Sequence, residues 1–273
     1  METMQEIRNV LIRRLGHGRR CLEPVHTLTL RNFANGSVAY CCIGVHPSLI
    51  KRFSRLGLLY ERSRTSSADN YFGIYDTPEL FESTERQFKE WERLLQDLDP
   101  VSFDVFLRKA SGRVAAHKPD RGWTQLVESM NEVRGYQHAR TIGYENRRLL
   151  DEQSHPFPDV EASNAAGKWC LLEVKTIQES AEELRARGEV QAAEPGLPVG
   201  LTRVLRRRYV HACQQIAGHA RASEADRICF MIINLDLRTV LARENKRLLE
   251  DFLVTIEADV KIHSISQHWP AGV

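Results

Sequence analysis

Pro158-Asp159 and, one short hairpin further on, Glu173-Val174-Lys175 are the residues whose types and spacing fit a chemistry. The second group lies within Trp169 to Thr176 (WCLLEVKT), an apolar run interrupted by one carboxylate and one amine. Such a run reads as a buried central strand. Unpaired charge is costly there, so the pair asks for a functional reason. Glu173 and Lys175 project from the same face of a strand. With Asp159 on the neighbouring strand they make the set that a metal-dependent phosphodiesterase needs. Two carboxylates suit a hard divalent cation, and an ammonium orients water or stabilises a pentavalent phosphorane.

The chemistry follows from the substrate. A phosphodiester resists hydrolysis because its anionic oxygens repel hydroxide, and a cation relieves that repulsion. Asp159, Glu173 and the carbonyl of Val174 are the expected ligands of Mg²⁺, with Mn²⁺ as a substitute, for in-line attack on phosphorus. Each residue also has a bland reading. Asp159 can simply begin a strand after Pro158, and Glu173 and Lys175 can form a surface pair, although Leu171, Leu172 and Val174 argue against an exposed strand. His155 is within reach of such a site, but a loop histidine is more often solvated. His211 and His219 have no spacing partner for a metal.

Elements must bring these residues together. The spacing predicts a helix over 123–134, strands over 139–150, 158–163 and 168–177, and a turn at 164–167. A short helix over 178–187, a Pro- and Gly-containing loop over 188–200 and a long helix over 201–222 follow. A second fully apolar strand over 227–236, a helix over 238–258 and a last strand over 260–265 complete the chain. In the N-terminal part, residues 6–15 have helical spacing and 26–45 read as two strands about Asn35-Gly36. Residues 84–98 read as an amphipathic helix that stops before Pro100. The stretch 111–122 carries Gly, Pro and charge, which marks a boundary between an N-terminal α+β region (1–115) and a second domain (120–273).

The composition of the 273 residues, 42% hydrophobic and 27% charged, is that of a soluble globular protein. No apolar stretch is long enough for a membrane span, and the first twenty residues do not read as a secretory signal. The six cysteines show no CxxC spacing, so a reducing cytoplasm with no disulfide framework and no zinc site is expected. The net charge of +2 hides an uneven distribution: residues 1–64 carry 11 Lys/Arg against 4 Asp/Glu, and Arg203, Arg206, Arg207 and Arg208 cluster. Basic patches attract phosphate backbones, although any one of them also reads as a solvated face.

The element order and the motifs resemble the PD-(D/E)XK nuclease superfamily, to which restriction endonucleases, phage-type exonucleases and archaeal Holliday junction resolvases belong. The resemblance covers about residues 123–236. Pro158-Asp159 stands for the PD element and Glu173-Val174-Lys175 for the (D/E)XK element. It implies a mixed α/β (α+β) fold, with a restriction-endonuclease-like core of a central mixed sheet flanked by helices. The family often adds a glutamate on the preceding helix, where Glu128 fits, as a further metal ligand or to position water. It also adds a glutamine or basic residue on the following helix, where Gln215 is preferred and Gln214 and Arg208 are further candidates for the substrate phosphate. A Mg²⁺-dependent nuclease acting on DNA rather than RNA is the expected function. The alternative is a catalytically silent nucleic-acid-binding or assembly module. Proteins with this core are often dimers, because cutting two strands takes two sites. A homodimer, and a protein partner for the N-terminal region, are left open.

Overall fold

The structure is a computed structural model and describes residues 28–32, 38–42, 49–64, 71–74, 78–114, 124–151, 155–177, 197, 199–234 and 242–267. The expected helix over 6–15, the Asn35-Gly36 turn, the helix over 178–187 and nearly all of the loop over 188–200 lie outside them. The chain divides into two compact units, Met1–Ser48 and Leu49–Val273. In the first, β1 (Leu28–Asn32) and β2 (Val38–Cys42) pair antiparallel.

The second unit begins with a 3₁₀ turn, Leu49–Arg52, and the helix α1 (Ser54–Arg64). A helical turn at Tyr71–Ile74 precedes α2 (Pro78–Gln96), α3 (Pro100–Val114) and α4 (Thr124–Thr141). Then come β3 (Asn146–Leu149), β4 (Val160–Ser163), β5 (Trp169–Ile177), α5 (Val199–Ala217), β6 (Asp226–Asn234), α6 (Ala242–Ile256) and β7 (Lys261–Gln267). The five strands form one mixed sheet in the order β3-β4-β5-β6-β7. The first three are antiparallel neighbours, and β5, β6 and β7 run parallel. None of the described helices is long and apolar enough to cross a membrane.

Strand alternation divides the core between the two faces of the sheet. Cys170, Leu172 and Val174 of β5, with Ile228, Phe230 and Ile232 of β6, join one buried cluster that continues through α4, α3, α2 and α1 as far as Ile50. Leu171 and Ile177 of β5, with Cys229, Met231 and Ile233 of β6, join another with Leu205, Tyr209, Ala212 and Ile216 of α5 and Leu249 and Leu253 of α6. The helices of 49–114 therefore share a core with the sheet. The division into compact units falls at 48/49, whereas a boundary was expected at 115–120, and the buried apolar side chains of these helices belong to the same cluster as the sheet.

Two further differences have local causes. The helix expected to stop before Pro100 does so, at Gln96, although it starts earlier, at Pro78, and Pro100 opens a further helix, α3, that was not expected. Asp99 caps that helix, its Oδ1 accepting the amides of Val101 (2.9 Å) and Ser102 (3.1 Å), and proline at the first helical position needs no donor. The helix expected to end at Arg134 runs on to Thr141, so the strand expected from 139 is confined to Asn146–Leu149. A Schellman end closes it: Tyr144 N–H donates to Ala139 C=O and Gly143 N–H to Arg140 C=O, with Gly143 at φ +94°.

At that end His138 stacks on Phe230 (4.3 Å between centroids), and its Nε2 lies 2.8 Å from Nδ1 of His263 on β7. Burial, and then the second imidazole, push the pKa of His138 down to about 4 from an ordinary 6.5. The unfolded chain thus takes up a proton that the folded chain refuses. This contribution costs nothing above about pH 6.5 and lowers stability as the pH falls from there toward about 4. The denaturation midpoint is expected to drop between about pH 7 and about pH 4.5, less steeply in His138→Phe, which keeps the stack and removes the titration. Equal slopes in the two proteins refute this assignment.

Candidate active site

Asp159 stands one residue before β4. The pairing of Val160 with Leu172, continued by one step, sets it beside Glu173. Asp159 Oδ2 accepts the amide of Val174 at 2.9 Å. The N–H and C=O of an extended residue point to the same edge, so the Val174 carbonyl also faces the Asp159 side. Glu173 and Lys175 are 2% and 6% exposed and lie on the α5 face of the sheet, between Leu171 and Ile177. Lys175 Nζ donates to Glu173 Oε1 and to Gln215 Oε1 on α5. Gln215 is held in turn by its Nε2, which donates to the Phe157 carbonyl at 3.3 Å.

The opposite helical layer reaches the same aspartate. Lys109 Nζ on α3 donates to Glu132 Oε2 on α4 at 2.6 Å and lies 4.0 Å from Asp159 Oδ1. Arg113 donates to Glu132 Oε1 (3.1 Å) and to Ser129 Oγ (2.8 Å). Lys109, Arg113, Glu132, Asp159 and Gln215 line one cleft of about 290 Å³, which His155 also borders. β3 is fixed to α3 beside it: the Leu149 amide donates to Ser102 Oγ at 3.0 Å.

The electrostatics follow from burial. Burial first, and then the Asp159 carboxylate, push Glu173 well above the usual glutamate range against the pull of Lys175. The same two causes raise Glu132, opposed by Lys109 and Arg113. Burial alone would lower Lys109, but Glu132 and Asp159 outweigh it and hold the amine above its ordinary value, so it stays an ammonium. Glu173 Oε2 is buried without a hydrogen-bond partner, next to the Asp159 carboxylate. Two ionised carboxylates are both acceptors, so such a pair needs a proton or a cation between its oxygens. Among the described residues, no three His, Cys, Asp or Glu side chains converge as a ready-made metal cluster. Two carboxylates with a backbone carbonyl are a hard oxygen donor set, which suits Mg²⁺ when water and substrate complete the shell.

Asp159, Glu173, Lys175 and Gln215 are thus brought together. Glu128 is half-buried on α4 and does not border the cleft; Glu132, one turn on, is the glutamate that does. Gln214 is exposed, in a groove on the outer face of α5 with Arg203, Arg206, Arg207, Val210 and His211. Arg208 is half-buried, and its Nε has no hydrogen-bond partner. Its charge and that of Lys175 act on His211, whose pKa is lowered first by burial and then by them. Sequence reasoning passed over Glu132, Lys109 and Arg113. Glu132 carried one usable signal, a helical repeat with Glu128, whereas Lys109 carried none. Compared with known proteins, the chain matches no family model and no curated protein.

The approach of α5 to the loop before Asp159 depends on Gly218. A Cβ there would stand 2.2 Å from the Pro156 carbonyl oxygen, one residue before the Phe157 carbonyl that holds Gln215. Gly218→Ala is expected to lower stability by about 1–3 kcal/mol in denaturant melts, because backbone rather than a flexible side chain must move. An unchanged midpoint shows that the contact is slack.

Proposed function

We propose that this protein is a metal-dependent nuclease that hydrolyses phosphodiester bonds in DNA, with a PD-(D/E)XK-type core. The observation that carries the reading is the buried Glu173–Lys175 pair, with one glutamate oxygen left without a partner, beside an Asp159 that lines a polar cleft. Supporting it are the order helix, three antiparallel strands, helix, parallel strand and the arginine-lined groove on α5.

In this reading Asp159, Glu173 and the Val174 carbonyl hold Mg²⁺ or Mn²⁺, and Glu132 takes the place expected of Glu128. The cation supplies charge neutralisation at the phosphoryl oxygen. Lys175, steadied by Gln215, keeps its ammonium at the point where negative charge grows and orients the attacking water for in-line displacement. Arg208 and the groove with Gln214 carry flanking phosphates. The second reading, a catalytically silent nucleic-acid-binding module, is favoured by two observations: among the described residues no three ligand side chains converge, and lysines already pair with Glu132 and Glu173.

Cleavage of supercoiled plasmid and of a labelled single strand, with Mg²⁺, Mn²⁺ or EDTA, separates the two. Lys175→Ala is expected to lower metal-dependent cleavage by about a hundredfold or more. Asp159→Asn is expected to do the same, and salt-dependent binding that ignores both metal and Asp159→Asn supports the silent module. A paired comparison on α4 tests the choice between the two glutamates. Glu132→Gln should cut the rate by about tenfold or more, and Glu128→Gln should leave it nearly unchanged; the reverse order would return the role to Glu128.

A further inference from the structure

Lys109 has no counterpart in the motifs read from the sequence. It lies on α3, outside the stretch 123–236 that carries the resemblance. Its side chain is 7% exposed, a depth at which an ammonium persists only beside compensating charge. That charge comes from two carboxylates on two different elements, Glu132 at 2.6 Å and Asp159 at 4.0 Å. Around the site, three carboxylates are matched by three cations: Glu132 and Asp159 by Lys109 and Arg113, and Glu173 by Lys175. With every group ionised the cluster is neutral and offers a phosphodiester no net attraction. A divalent cation makes it doubly positive, which a phosphodiester monoanion and a hydroxide balance.

Resting on the nuclease reading, we infer that Lys109 is a positioning residue that competes with the divalent cation for Asp159 and Glu132, and so sets how tightly that cation is held. The ammonium neutralises those oxygens with one charge, the metal with two, and the two cations repel each other across a few ångströms of poorly solvated space. A lysine that merely ties α3 to α4 would have a different signature: its loss would loosen the cleft and weaken metal binding.

The test is calorimetric titration of the full-length protein with Mn²⁺ alone, free of nucleic acid. Lys109→Met removes the charge and keeps the bulk, and is expected to bind Mn²⁺ about tenfold more tightly than wild type. Lys109→Gln, whose amide can still donate to Glu132, should shift the same way if the methionine variant fails to fold. Lys109→Arg should match wild type. Half-maximal cleavage should need correspondingly less metal in the two neutral variants. Equal or weaker Mn²⁺ binding in the folded neutral variants overturns the inference and leaves the nuclease reading standing. Absence of Mn²⁺ binding in every protein, wild type included, overturns both.

Discussion

A carboxylate and an ammonium buried side by side in the central strand are the constraint on which the rest of this structure turns. Glu173 and Lys175 sit among Leu171, Ile177, Cys229 and Met231, nearly shut off from solvent. Breaking such a pair by removing one partner typically costs about 3–5 kcal/mol, so the surroundings must satisfy both members. α5 does so by presenting Gln215 to Lys175, and it comes close enough only because Gly218 has no side chain to strike the Pro156 carbonyl. The loop before β4 is thereby pinned from two directions, by Gln215 at Phe157 and by the Val174 amide at Asp159.

Asp159 is where the two faces of the sheet meet. Alternation assigns Glu173 and Lys175 to the α5 side, while Asn131 on α4 donates to Thr176 from the other side at 2.8 Å. β4 begins only at Val160, so at Asp159 the sheet no longer separates the layers. Lys109 and Glu132 arrive there from one side, Lys175 and Gln215 from the other. The helices of 49–114 are thus part of the site's construction. Glu92 shows how firmly they are set: its carboxylate accepts the amides of Arg55 and Leu56 and the Ser54 hydroxyl at the start of α1. Burial works against that carboxylate, but these bonds outweigh it and hold its pKa below the usual range.

Much of this was readable along the chain, because it rests on short-range rules. An apolar run with charges two apart gives a buried strand with both charges on one face, and β5 has that form. The Pro-Asp step and the turn at 164–167 give the hairpin that pairs β4 with β5. Asp99 was also a readable cap, and weighing it against Pro100 would have recovered α3. The end of α4 was harder, since its positive-φ glycine follows Thr141-Ile142, two β-branched residues that also suit a strand.

What the sequence by itself determined is which residues share a face and where strands and most helices lie, since periodicity and capping act over a few residues. Only the tertiary structure decided which α4 glutamate meets Asp159. Glu128 and Glu132 are one turn apart on a helix buried on nearly all sides, so no apolar stripe singles one out, and the choice falls to where α4 rests on the sheet. Lys109 is the extreme case. It lies 50 residues from Asp159 in the chain, and its nearness depends on α3 docking through Ser102 to β3 and packing on α4. That nearness is fixed by the filling of a shared core, a long-range condition that no local pattern encodes.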